Sequence, residues 1–142
     1  MLSGYLPWQI MVWYVNPLCQ MSYIIRSESI VGSETITVTV SHYSRYVGTE
    51  NWINGPGINA EAATWLGERK ISAFGVETMS PGVPKVSNKE VHQICGEMGF
   101  THYENMINLD KLLNRGRFRF IALPLKIRGG TGSPVRAVAV FE

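Results

Sequence analysis

A strand and a helix are the first elements that the order of polar and apolar residues predicts. Residues 34–40 alternate between polar and apolar side chains, a period of two that is typical of a half-buried strand. The apolar face of this strand would consist of Ile36, Val38 and Val40. Further along, Asn59 is placed to cap a short helix over residues 60–70.

A second, more regular helix is predicted to begin after Ser87. Ser87 and Glu90 have the spacing of a capping box, and Gly99 stands where helices commonly end. Between them, apolar residues recur at helical spacing and form a core stripe of Val91, Ile94, Cys95 and Met98. Strands are predicted at residues 71–78, 100–104, 118–127 and 135–141, and a further short helix at 109–114. Strands that alternate with short helices indicate an α/β domain.

Composition narrows the range of functions. The chain has 142 residues, the size of one domain, and its 45% apolar and 17% charged residues argue against disorder. A net charge of +2 is too small for a dedicated nucleic-acid binder, which needs a concentrated basic surface. The two cysteines, Cys19 and Cys95, cannot form a disulfide scaffold or a four-cysteine zinc site.

The first 25 residues carry no charged side chain. A secretory signal is not expected here, because no Lys or Arg precedes the apolar part and the first is Arg26. A membrane span is not expected either, because prolines and polar residues interrupt the apolar run at Pro7, Gln9, Asn16, Pro17 and Gln20. We therefore expect a cytoplasmic protein that binds neither membranes nor nucleic acid, with this segment buried in a core or against another subunit.

One pair of residues has a spacing that would bring two metal-binding side chains together. From His92 to Met98 the predicted helix advances about 9 Å at roughly 1.5 Å per residue. Gly99 reverses the chain, and an extended segment then returns about 13 Å to Glu104 at roughly 3.3 Å per residue. Because the two paths nearly cancel, Glu104 would end near His92. An imidazole and a carboxylate so placed form half of a zinc or manganese site, or a simple hydrogen bond.

At these residues the sequence resembles the cyclase family of metal-dependent hydrolases, which includes bacterial kynurenine formamidase and isatin hydrolase. The resemblance covers residues 43–142, and its specificity lies in the order and spacing of several short pieces. The pieces are Pro56-Gly57-Ile58, Glu61-Ala-Ala-Thr-Trp-Leu66, Phe74-Gly-Val-Glu-Thr78, His92 followed by Glu104-Asn105, Asn108-Leu-Asp110, Ala122-Leu-Pro-Leu-Lys126 and Gly132-Ser-Pro-Val-Arg-Ala-Val-Ala139.

The resemblance implies a cyclase-like, swivelling β/β/α domain with a mixed sheet and a few short helices. It implies that His92 and Glu104 bind a metal ion, zinc or manganese, in the hydrolysis of an amide bond. The leading substrate would be N-formylkynurenine, an arylformamide of tryptophan catabolism. It also implies a homodimer, since family members associate.

The chain departs from the family pattern in its N-terminal part. The family's main metal motif, His-x-Gly-Thr-His-x-Asp, is absent, because no His precedes His42 and Asp110 is the sole aspartate. Glu77 stands where the family usually has an aspartate. We therefore interpret residues 43–142 as the C-terminal part of such a domain, truncated, and residues 1–42 as an atypical apolar segment.

With two ligands the ion would be held loosely, and catalysis would be weak or absent. His102 would share a strand face with Glu104, which makes it the one weak candidate for the missing acid–base histidine. Two alternatives to an impaired hydrolase stay open: a non-catalytic interaction or ligand-binding module, and one half of a split hydrolase whose other chain supplies the missing residues.

Overall fold

The computed structural model describes residues 23–28, 34–39, 45–112, 115 and 118–141 of the chain. The strands are β1 (Tyr23–Glu28), β2 (Glu34–Thr39), β3 (Ala73–Gly75), β4 (Thr101–Tyr103), β5 (Phe118–Ala122) and β6 (Ala137–Phe141). The α-helices are α1 (Ala60–Glu68) and α2 (Asn88–Met98), and 3-10 helices span Glu50–Asn54 and Leu109–Leu112.

The strands form one mixed sheet and a separate antiparallel pair. The sheet has the order β1-β2-β3-β4, in which β1 is antiparallel to β2, whereas β2, β3 and β4 run parallel. Parallel strands need a crossover connection, and α2 supplies it between β3 and β4. In the second sheet β5 pairs with β6, with Phe118 opposite Phe141. The prediction of an α/β domain with a mixed sheet and a few short helices is confirmed.

The core lies where the two helices meet β3. Phe74 of β3, Leu66 of α1 and Val91 of α2 are fully buried. Met98 lies across Gly67 of α1, where an added Cβ would be 2.4 Å from the Met98 sulfur. The predicted stripe on α2 therefore packs inward at Val91, Ile94 and Cys95, while Met98 covers α1 from the rim.

The helix ends follow the predicted caps with one exception. The side chain of Asn59 accepts a hydrogen bond from an amide in the first turn of α1, and α2 ends at Gly99 with a φ of 76°. The predicted capping box is wrong. The Ser87 hydroxyl donates to the Ile58 carbonyl at 2.8 Å and accepts from the Val83 amide at 3.0 Å, so it makes no cap bond to α2.

Several strands are shorter than predicted, although the chain stays hydrogen-bonded beyond their ends. After β3 the Val76 amide donates to the Tyr103 carbonyl at 2.8 Å, and the Val76 carbonyl accepts from the Met106 amide at 3.0 Å. The Asn105 amide donates to the Thr78 carbonyl at 2.9 Å. Backbone hydrogen bonds outside the regular strands therefore hold together the two segments that follow β3 and β4.

The expectations for residues 1–22, and any role of His42, lie outside the described residues. Within the part of the chain that is described, no helix combines the length and the apolar character needed to cross a membrane.

Candidate metal centre

Three side chains with metal-binding atoms converge where β4 ends beside α2. His92 lies in the second turn of α2, His102 is the middle residue of β4, and Glu104 directly follows that strand. One potential ligand atom from each residue lies within 4.8 Å of the other two. The helix, the reversal at Gly99 and the return along β4 thus bring His92 and Glu104 together, and His102 joins them.

His102 is held most firmly of the three. Its side chain is 17% exposed and that of Glu104 is 32% exposed, whereas His92 is exposed on the helix surface. The His102 ring packs against Phe74 with 5.9 Å between ring centroids and meets the His92 ring edge to face at 4.7 Å. Its Nε2 lies 3.4 Å from Glu104 Oε1. The core side of the sheet therefore fixes this imidazole.

The residues present fit a divalent cation. Two imidazoles and one carboxylate are the protein ligands of His₂Glu zinc sites, and imidazole and carboxylate donors also suit other divalent metals such as manganese. His102 Nδ1 is buried and has no hydrogen-bond partner within the described part of the chain. A buried polar atom of this kind is uncommon in folded proteins. Donor type and spacing agree with a metal-binding role, and within the described residues His102 Nδ1 makes no hydrogen bond that would compete with it.

The charge state of His92 also suits a ligand. Partial desolvation of the ring lowers the pKa of His92, the neighbouring His102 ring lowers it further, and the Glu104 carboxylate opposes both effects. The imidazole is therefore mainly neutral at about pH 7, which is the form that binds metal ions.

The hydroxyl of Ser80 lies at the same place. Its Oγ is 3.2 Å from His92 Nε2 and donates to Glu104 Oε1 at 3.3 Å. The sequence did not reveal this residue, because 24 positions separate Ser80 from Glu104 and only the pairing of β3 with β4 brings them together. The signal that could have found it is its position beyond the carboxyl end of a parallel strand, where ligand sites of α/β sheets collect.

A cleft of about 1440 Å³ extends from the three side chains to β5 and β6. Tyr103 and Phe120 stand on it with their rings edge to face and 5.1 Å between centroids. Basic side chains also line it, namely Lys111, Arg115 and Arg136. The cleft thus joins metal donors to aromatic and cationic surfaces, a combination suited to an aromatic molecule that carries an anionic group.

Glu77, which the sequence singled out, does not join the cluster. It is 5% exposed and lies in the segment after β3, but it is not one of the three grouped ligands. The predicted ligands His92 and Glu104 are grouped, and His102, expected as an acid–base candidate, lies with them.

Comparison with known proteins finds one family that part of the chain resembles. Residues 20–83 match the Cyclase family, described as "Putative cyclase". An isatin hydrolase of Roseibium aggregatum is 32% identical over 91 residues, which cover 61% of this chain and 34% of that protein. Kynurenine formamidases of Bacillus mycoides and Bacillus cereus are each 36% identical over 85 residues, covering 58% of this chain and 39% of theirs.

The chain thus spans 34% to 39% of the length of these curated relatives. A solved structure described as a potential metal-dependent hydrolase with cyclase activity matches with a TM-score of 0.48 and 23% identity, over 58% of this chain and 40% of that one. The family match begins at residue 20, inside the segment 1–42 that we interpret as atypical, and the domain boundary at residue 43 stays a prediction. Over residues 20–83 the chain is similar to the Cyclase family.

Proposed function

We propose that this chain binds zinc or manganese through His92, His102 and Glu104, and that its reaction is hydrolysis of the amide C–N bond of an arylformamide, impaired because the sequence lacks the motif His-x-Gly-Thr-His-x-Asp. The observation that carries the proposal is the convergence of three ligand atoms within 4.8 Å beside the end of a parallel strand. The relatives named kynurenine formamidase and isatin hydrolase support the reaction class.

The roles of the residues follow from their surroundings. A bound divalent cation lowers the pKa of a coordinated water and polarises a carbonyl group. We assign His102 to the ion rather than to proton transfer, because its ring is packed against Phe74 and faces both other donors. His92 and Glu104, which are more exposed, complete the ligand set from the cleft side.

The cleft supports an aromatic substrate. The Tyr103 and Phe120 rings offer an aromatic surface, and Arg115 and Arg136 offer positive charge to an anionic substituent. N-formylkynurenine combines an aryl formamide with a carboxylate and is therefore our leading substrate. Because the chain spans well under half of the relatives' length, the activity of the complete relatives is proposed for this chain and not assumed.

We further propose that the chain associates as a homodimer. The β5–β6 pair exposes Ile121, Val138 and Val140, and the segment after β5 exposes Leu123 and Leu125, which are 76% and 63% exposed. Apolar surface of this kind commonly marks an interface. The same surface would receive the complementary chain of a split hydrolase, or another partner if the protein is an interaction module.

Titration with Zn²⁺ and Mn²⁺ against a chromophoric chelator tests the metal site. We expect one ion per chain, and a loss of affinity of more than about a hundredfold in His92→Ala, His102→Ala and Glu104→Gln, since loss of an outer-shell group alone costs about 10- to 100-fold. His42→Ala serves as the control histidine. Equal affinity in all five proteins would refute the metal site. An assay for formylkynurenine hydrolysis on the loaded wild type tests the reaction, and we expect little or no turnover from this chain alone.

A further inference from the structure

Ser80 links two of the three candidate ligands. Its hydroxyl donates to Glu104 Oε1 at 3.3 Å, and the same oxygen lies within hydrogen-bond distance of His92 Nε2 at 3.2 Å. The carboxylate and the imidazole come from different elements, so backbone continuity does not fix their mutual orientation. The Ser80 hydroxyl contacts both and thus joins helix α2 to the end of strand β4.

The position of Ser80 is itself fixed by backbone pairing. The Thr78 hydroxyl donates to the Ser80 carbonyl at 2.7 Å and closes a tight turn in front of it. The Thr78 carbonyl accepts from the Asn105 amide at 2.9 Å, directly beside Glu104. Asn105 has a φ of 54°, a left-handed conformation that asparagine tolerates well. Ser80 and Glu104 thus belong to two cross-linked turns rather than to independent loops.

His92 and Glu104 are the ligands that need such a link. His102 is held by core packing against Phe74, but His92 is exposed on its helix and Glu104 has a long, partly exposed side chain. Free side chains of this type lose rotamer freedom when they bind an ion, and a group that restricts them beforehand reduces that loss.

We infer that Ser80 is a positioning residue whose hydroxyl holds His92 and Glu104 in the mutual arrangement that the metal ion requires. The inference rests on the proposed metal site and adds to it a residue that is not among the three ligands. Groups that orient metal ligands in this way contribute about 10- to 100-fold to metal affinity.

The test compares Ser80→Ala with Ser80→Thr and with Ser72→Ala. Threonine retains the hydroxyl, while Ser72 is an exposed serine just before β3, at the other end of that strand. Zn²⁺ affinity is measured by chelator competition, the visible spectrum of bound Co²⁺ reports the ligand geometry, and thermal unfolding of the ion-free proteins reports stability.

We expect Ser80→Ala to bind Zn²⁺ about 10- to 100-fold more weakly than wild type and to alter the Co²⁺ spectrum. Ser80→Thr should recover most of the affinity, and Ser72→Ala should match wild type. Equal affinity in Ser80→Ala and Ser72→Ala would overturn the inference and leave the proposed metal site intact. An affinity loss that Ser80→Thr does not recover, and that follows a loss of ion-free stability, would also overturn it. Failure of the wild type itself to bind an ion would instead refute the proposed function, and the inference with it.

Discussion

Gly57 and Gly82 lie where two chain segments cross without room for a side chain. A Cβ on Gly57 would lie 2.2 Å from the Gly82 carbonyl carbon, 2.4 Å from the Val83 nitrogen and 2.6 Å from the Gly82 oxygen. All three are backbone atoms, so no neighbouring side chain can rotate away to make space. The crossing is also hydrogen-bonded, since the Ile58 amide donates to the Pro81 carbonyl at 2.8 Å. Gly57→Ala must therefore move one backbone segment against the other.

The expected cost is that of an overpacked core, about 1–3 kcal/mol of unfolding free energy. For a chain of this size about 1 kcal/mol shifts the unfolding midpoint by about 4 °C, so Tm should fall by about 4–12 °C. The displaced segment lies between Ser80 and the start of α2, which carries His92. We therefore also expect weaker metal binding in Gly57→Ala.

Gly96→Ala provides the matched control. Gly96 lies inside α2, and a Cβ added there would meet nothing within 4 Å. Alanine is favoured over glycine in a helix interior by about 0.5–1 kcal/mol, so Tm should rise by about 2–4 °C. Thermal unfolding followed by far-UV circular dichroism measures both variants. The reasoning is refuted if Gly57→Ala unfolds at or above the wild-type temperature, or if Gly96→Ala is the less stable of the two.

Three further predictions concern activity, the buried thiol and association. The isolated chain should hydrolyse N-formylkynurenine little or not at all even with added Zn²⁺ or Mn²⁺; robust turnover abolished by His92→Ala would contradict this. Burial raises the pKa of the Cys95 thiol to about 11, so in a Cys19→Ser variant thiol reagents at about pH 8 should react rapidly only after unfolding. Because the thiolate is favoured in the unfolded chain, stability should also fall as pH rises from about 9 to about 11. Sedimentation should show a dimer that Leu125→Lys weakens; a wild-type monomer at high concentration would contradict the interface.

The approach of His92 to Glu104 could be predicted because it depends on short-range structure. The helix stripe, the reversal at Gly99 and the extended return to Glu104 are all encoded within residues 87–104. The observed β4 has three residues instead of the predicted five, but this difference does not change the position at which the chain brings Glu104 beside His92.

Features that depend on distant partners could not be predicted in the same way. The Ser87 hydroxyl bonds to the Ile58 carbonyl, 29 residues away, and the local capping pattern gives no sign of this competitor. Ser80 reaches the site only because Gly75 pairs with Tyr103 in the parallel register of β3 and β4. Local spacing thus predicts which helix and strand contact each other. Long-range strand pairing determines which further residues, such as Ser80, lie beside them.

The low turnover that we predict follows from either role of His102. If His102 binds the ion, the chain supplies three ligands, but a ring nitrogen engaged with a metal cannot also accept a proton. If His102 stays free, it can transfer protons, but the ion then has two ligands and is loosely held. General acid–base catalysis contributes about 10²- to 10⁴-fold, so each case lacks one large factor. A chain in which His102 binds the ion and a chain in which it stays free would both turn over slowly, but they would differ in metal affinity. The Zn²⁺ affinity of His102→Ala therefore distinguishes them, because affinity falls steeply only if the ring is a ligand.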